Sequence, residues 1–153
     1  MTVEIIAIAR QRGLPVELPA AVAVMAGRGI VGDRHFTPQR TPGGGHVSLI
    51  EAEVVEAFNR KHAMTIHPAD TRRNLVTRGV RLNGLVGKVF TIGNVRLRGV
   101  EWCEPCESLG SRLARKHMPM AKVVKAFVHR GGLRAEVLAG GMVRLGDVLQ
   151  VQG

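Results

Sequence analysis

At 153 residues, 45% of them hydrophobic and with a mean hydropathy near zero, the chain is long enough to bury a core without disulfides or metals, and it is too apolar to be disordered. Its formal charge of +10 calls for an anionic partner, nucleic acid or an anionic phosphorylated cofactor; no tyrosine, one tryptophan and four phenylalanines leave little for stacking single-stranded nucleic acid, which makes nucleic acid the less favoured partner while duplex binding by phosphate contacts stays open. No stretch approaches the roughly 18 apolar residues of a membrane helix and the start lacks a signal-peptide pattern, so a cytoplasmic protein with reduced thiols and no membrane partner is expected.

Residues 3–9 alternate as a strand and residues 22–25 read as a second, with a Gly/Pro loop at 11–19 between them. Next comes Gly27-Arg28-Gly29-Ile30-Val31-Gly32-Asp33-Arg34-His35, whose glycines permit close backbone approach and whose Asp33 and His35 offer polar groups two residues apart. Residues 37–45, with two prolines and three successive glycines, read as a flexible flap bordering a site.

Residues 46–50 begin as a strand and turn into a helix, for which Ser48 and Glu51 have the spacing of a capping box. Ile50, Val54 and Phe58 share the apolar face of that helix, leaving Glu53, Glu56 and Arg60 outside. After a turn around Pro68, Arg72-Arg73-Asn74 offers forked donors and an amide suited to a phosphate or carboxylate; a solvated basic strand edge would read the same way.

Residues 89–92 and 95–97, split by Gly93-Asn94, predict a hairpin. Beyond the cysteines, residues 108–116 and 120–128 predict short helices, the second stopped by Gly131-Gly132. Leu133, Ala135 and Val137 alternate as a strand, and residues 142–145 and 148–151 around Gly146-Asp147 predict a closing hairpin. Some seven or eight short strands with three short helices predict a mainly β fold, a closed or nearly closed β-barrel with flanking helices. With no repeats and no linker, residues 1–153 read as a single domain.

The chemistry concentrates in Glu101-Trp102-Cys103-Glu104-Pro105-Cys106-Glu107, which holds the only tryptophan and both cysteines between a strand and a helix. A thiolate there would face a helix N-terminus and solvent, a setting that lowers its pKa and makes it a nucleophile or a soft metal ligand. Packing of two small apolar side chains is the plain alternative, but three flanking carboxylates are odd lining for a core. Trp-Cys-Glu-Pro-Cys resembles the redox motif of thioredoxin, without the βαβ framework that motif needs. A zinc site would need two further ligands, and His117 and His129 lack finger spacing.

Taken together, Gly32-Asp33-Arg34-His35, His46-Val47-Ser48-Leu49-Ile50-Glu51, Arg72-Arg73-Asn74-Leu75-Val76, Cys103-Glu104-Pro105-Cys106 and Gly132-Leu133-Arg134 resemble, in order and spacing, the MOSC domain family. The family is named for the C-terminal domain of molybdenum cofactor sulfurase, and the resemblance runs nearly end to end. It implies a strand-rich barrel. It also implies that Cys106 is the thiolate ligand of molybdenum where the molybdenum cofactor (molybdopterin) is bound, with Cys103 a neighbour of open role. By the same resemblance Arg72, Arg73 and Asn74 hold the pterin phosphate, and Asp33 and His35 lie at the pocket rim. The chain matches a bare, stand-alone MOSC core without companion barrel, ferredoxin or flavin module.

Three functions follow as expectations. The first is a sulfur carrier, in which Cys106 accepts sulfane sulfur from a cysteine desulfurase, or a protein that binds the cofactor; pyridoxal phosphate belongs here only at the family level, on the partner. The second is a molybdenum-dependent reductase of N-hydroxylated compounds, served by an electron-donor protein. The third is a non-catalytic basic module that grips nucleic acid or phosphate ligands.

Overall fold

The computed structural model describes all of residues 1–153. In chain order it contains β1 (Thr2–Ile6), β2 (Ala21–Met25), β3 (Gly29–Ile30), β4 (Val47–Glu51), α1 (Ala52–His62), β5 (Leu75–Arg78), β6 (Val89–Ile92), β7 (Val95–Trp102), α2 (Glu107–Leu113), α3 (Met120–Phe127), β8 (Leu133–Ala139), β9 (Gly141–Arg144) and β10 (Leu149–Val151). No helix is long and apolar enough to cross a membrane.

Seven strands form one sheet in the order β1-β5-β4-β8-β7-β6-β10, antiparallel throughout except for the parallel pair β4 and β5. Its two edges meet. Thr2 bridges Val148, the Val3 amide donates to the Asp147 carbonyl at 3.0 Å, and the Leu149 amide donates to the Met1 carbonyl at 2.9 Å. These bonds pair backbone groups that an open edge would leave exposed, and they make the sheet a nearly closed barrel. The expected mainly β barrel of about seven or eight strands with three flanking helices is therefore the observed fold.

Alternation fills the barrel. Along β7, Val95 and Leu97 are buried while Arg96 and Arg98 are exposed, and along β8 Leu133, Ala135 and Val137 are buried. A second, three-stranded sheet, β3-β2-β9, shares the same apolar core, which joins Val22, Val24 and Val143 to Phe90, Leu97 and Leu133. The helices cover the outside through a second core, in which Val55 and Phe58 of α1, Leu109 and Leu113 of α2, and Val123 and Phe127 of α3 meet Ile50 and Val76.

Several local expectations are corrected. Ser48 caps no helix: it lies inside β4, α1 starts at Ala52, and Glu51 precedes it without a side-chain cap. The buried face of α1 is accordingly Ala52, Val55 and Phe58, with Val54 only partly buried. Residues 7–9 leave β1 because their amides go elsewhere: Ala7 donates to Asn74, Ile8 to Glu17 and Ala9 to Asp33. The last two strands form no hairpin with each other, since β9 pairs with β2 and β10 with β6. Gly131-Gly132 lies beyond the end of α3, and its role is different.

A Cβ at Gly131 would overlap the carbonyl oxygen of Cys103, and one at Gly132, where φ is +109°, would overlap the carbonyl oxygen of Leu49. The Cys103 amide donates to the Gly132 carbonyl at 2.8 Å. The two glycines are thus the seat on which the cysteine segment rests.

Candidate functional site

One end of the barrel opens into a cavity of about 420 Å³. Its wall comes from six separate stretches of chain. The β1–β2 loop gives Arg12 and Gly13, the β3–β4 loop gives Arg34, His35, Gly45 and His46, and β4 gives Ser48. The turn before β5 gives Arg72, Arg73 and Asn74, the β7–α2 junction and α2 give Cys103, Cys106, Ser108 and Arg112, and β8 gives Arg134. The structure therefore brings together six of the seven residues singled out in the sequence; Asp33 sits just behind the wall.

Cys106 is exposed and Cys103 is buried. Cys106 is the N-cap of α2, with extended backbone at φ −124° and ψ 174°. Its sulfur faces the amides of Leu109 and Ser108, and these, with the Ser108 hydroxyl and the charge of Arg73, hold the thiol below its usual pKa against the opposing effect of burial. The amides act without closing a side-chain cap of full hydrogen-bond geometry.

Arg73 is only 9% exposed. Its Nε donates to the Gly131 carbonyl at 2.8 Å and its Nη1 to the Thr71 carbonyl at 3.4 Å. Burial, opposed by the nearby cysteine sulfurs, pulls its pKa below the usual arginine value. Arg72 adopts a left-handed conformation, φ +60°, at the end of the 3-10 turn Pro68–Thr71. That turn is fixed by His67, whose Nδ1 accepts from the Ala69 amide while its own amide donates to Asp70. A non-glycine residue in this conformation carries about 1 kcal/mol or more of strain, which makes the placement of the Arg72 side chain a feature the surrounding turn enforces.

Asn74 and Asp33 have their polar atoms engaged inside the protein. Asn74 Oδ1 accepts from the Ser48 amide and hydroxyl at 3.1 and 3.2 Å, and its Nδ2 donates to the Ala7 carbonyl at 3.1 Å. Asp33 accepts from the Ala9 and His35 amides, each at 3.1 Å, and lies 3.4 Å from His35 Nδ1. Burial pushes the Asp33 carboxyl upward, but these hydrogen bonds outweigh it and the net shift is downward. Asn74 ties its turn to Ser48 in β4, and Asp33 holds the turn that presents Arg34 and His35.

The carboxylates beside the cysteines do not line the cavity. Glu104 accepts from the His129 amide at 2.8 Å, Glu101 lies 3.7 Å from Arg134 Nε, and Trp102 stands outside with its ring against His129. The predicted flap at residues 37–45 is fastened: Thr37 donates to Arg28, Thr41 to Gly27 and Gly43 to Glu136. No three His, Cys, Asp or Glu side chains form a group able to hold a metal ion.

Sequence reading missed Arg12, Arg34, Arg112, Arg134 and His46 as wall residues. Arg34, His46 and Arg134 fall inside the stretches that carry the family resemblance, whereas Arg12 and Arg112 had no signal beyond the +10 charge. The wall carries six arginines and no Asp or Glu. Three of its side chains bury a nitrogen without a protein partner: His46 Nδ1, Arg72 Nη2 and Arg112 Nη1. Orphaned donors of this kind are costly unless something accepts from them, so the donor set fits an anionic occupant with several acceptor oxygens. The exposed thiolate adds one soft ligand. Together they fit a phosphorylated metal cofactor.

The MOSC domain family model matches residues 32–150. No curated protein matches the chain. Among solved structures, the YuaD protein from Bacillus subtilis superposes with a TM-score of 0.83 at 20% identity, over 99% of this chain and 96% of that one. YiiM from Geobacillus stearothermophilus gives 0.76 at 14% identity, over 99% of this chain and 75% of its own. YiiM from Escherichia coli gives 0.67 at 15% identity, over 100% and 70%. At these identities the structures speak for the shared fold.

Proposed function

Since the chain belongs to the MOSC domain family, we propose that it binds the molybdenum cofactor in the arginine-lined cavity, with Cys106 as the thiolate ligand of the metal. One observation carries this reading: a thiol with a lowered pKa opens into a cavity that has six guanidinium groups and no carboxylate. A thiolate that served only as a sulfur relay would need access and little else. A pocket of this volume, with buried donors left unpaired, is built for a ligand that stays.

Arg72 and Arg73 would take the pterin phosphate, whose oxygens accept bidentately from guanidinium forks. Asn74 and Asp33 act as positioning residues through the loops they hold, and His35 stands at the rim. When bound, the molybdenum centre supplies two-electron oxygen-atom chemistry, suited to reduction of an N-hydroxylated compound. Cys106 would hold the metal through its sulfur, and the α2 amides and Arg73, which lower the pKa of the thiol, favour the thiolate that such a bond needs. No lysine lines the cavity, so in sulfur transfer the pyridoxal phosphate would sit on the partner desulfurase.

The exposure of Cys106 favours a second reading, as a sulfur carrier. Its thiolate would attack the outer sulfur of a persulfide on a cysteine desulfurase, forming a new S–S bond while the partner leaves as a thiolate. Metal analysis separates the two. Protein from a host that makes the cofactor should hold close to one molybdenum and release one fluorescent oxidised pterin per chain, both lost in Cys106→Ala. Metal-free protein whose Cys106 accepts a persulfide would replace the first reading with the second. Binding of nucleic acid that weakens steeply with salt and survives loss of both cysteines would replace both.

A further inference from the structure

A cofactor phosphate held by Arg72 and Arg73 leaves much of the cavity's charge unmatched. Of the other four guanidinium groups, Arg134 has a loose partner in Glu101 at 3.7 Å, whereas Arg12, Arg34 and Arg112 line the cavity with no ion pair. Arg112 is half-buried and keeps Nη1 buried without an acceptor. Burial works against its charge, and so do the nearby positive charges of Arg72, Arg73 and Arg34, while the Cys106 sulfur favours it. Arg112 therefore lies within electrostatic reach of Arg72 and Arg73, of Cys106 and of Arg34.

Arg34 is not a stray surface side chain. Its amide donates to the Ala9 carbonyl at 2.7 Å, and the preceding Asp33 accepts from the Ala9 amide, so the turn that presents it is bonded on both sides. Like charges gathered around one cavity are self-repulsive, and the arrangement becomes favourable when an anion sits between them. One phosphate ester carries about two negative charges and offers three acceptor oxygens, which suits a pair of guanidinium forks. Arg72 and Arg73 come from the turn before β5, Arg34 from the β3–β4 loop and Arg112 from α2, and the roughly two charges of one phosphate leave most of the six guanidinium charges unmatched.

We propose that Arg34 and Arg112 form a second anion subsite beside Cys106, and that the molecule converted there carries a phosphate ester. The cavity then holds two phosphate groups at once, one from the cofactor and one from the substrate. The place of the reaction rests on the reading of Cys106 given above; the subsite itself does not.

The test titrates cofactor-free protein with inorganic phosphate by calorimetry. Two equivalents are expected for the wild type, one for the double variant Arg34→Gln/Arg112→Gln and one for Arg72→Gln. Neither the Arg34 nor the Arg112 side chain holds another part of the fold, so the double variant folds, which an unchanged urea midpoint of the cofactor-free protein checks. Acetate titrated in the same way should fill the second subsite at least tenfold more weakly than phosphate. A single phosphate equivalent in the wild type, loss of both equivalents together in the double variant, or acetate bound as tightly as phosphate would overturn the proposal. Two phosphates on a chain that never acquires molybdenum would support the subsite while removing the cofactor reading. One phosphate on a chain that does acquire molybdenum would do the opposite.

Discussion

Arg73 Nε donates to the Gly131 carbonyl at 2.8 Å, and the α-carbon of the same Gly131 lies against the carbonyl of Cys103. One buried guanidinium thus fixes the seat of the cysteine segment and, through its charge, favours the Cys106 thiolate. Position and electrostatics can be separated by substitution. Arg73→Gln should raise the Cys106 pKa, seen as a shift of the pH profile for iodoacetamide alkylation to higher pH; Cys103 is buried and contributes little. Arg73→Lys should keep most of the low pKa yet lose about 1–3 kcal/mol of stability in urea, because the fork to Gly131 and Thr71 is gone. An unchanged alkylation profile in Arg73→Gln would remove Arg73 from the account of thiol activation.

Gly131→Ala tests the seat directly. The added methyl must displace the Cys103 carbonyl, which is backbone and cannot swing away. The expected cost is about 3 kcal/mol or more, with weakened retention of any cofactor. Gly13→Ala at the cavity edge, where a Cβ meets nothing but φ is +83°, should cost about 1 kcal/mol from strain alone. Equal losses at the two positions would show that the close approach at Gly131 is not what matters.

Arg72→Gly should part stability from binding. Glycine relieves the left-handed strain at φ +60° but adds freedom to the unfolded chain, so the melting free energy should stay within about 1 kcal/mol of the wild type. Pterin content should fall at least tenfold. Full pterin content in this variant would take Arg72 out of the phosphate contact.

His46 sets a pH dependence. Burial holds its pKa below the usual histidine value, against an upward pull from Glu136, so the folded protein prefers the neutral ring. A base whose folded pKa is depressed contributes stability that is complete above its unfolded pKa of about 6.5 and is lost as pH falls through the lower folded value. Urea midpoints of cofactor-free protein should therefore fall between pH 7.5 and pH 5. His46→Gln should reduce that fall, and an identical fall in the variant would assign the dependence to other groups.

The barrel was legible because its signals are local. Alternation in residues 133–137 and the Gly93-Asn94 turn name strands by themselves. Ser48 misled for the opposite reason: its spacing to Glu51 is that of a helix cap, yet its hydroxyl is claimed by Asn74, 26 residues away. The glycines at 131 and 132 read as a helix stop because their true neighbours, Cys103 and Leu49, are remote in sequence. Cys106 could be singled out by its chemistry. Arg12, Arg34 and Arg112 could not, since a guanidinium in a loop or on a short helix looks the same whether it faces solvent or a cavity.

The cavity wall is drawn from stretches as far apart as Arg12 and Arg134, and the barrel closes only when Thr2 meets Val148. No contiguous piece of the chain contains the whole wall, so a ligand finds its full set of partners only once the barrel is assembled. Binding therefore protects the whole molecule rather than one region, by RT ln(1 + [L]/Kd) against global unfolding. A ligand of the cavity would thus act on the assembled barrel as a whole, adding its binding free energy to the last step of closure and to none of the separate pieces.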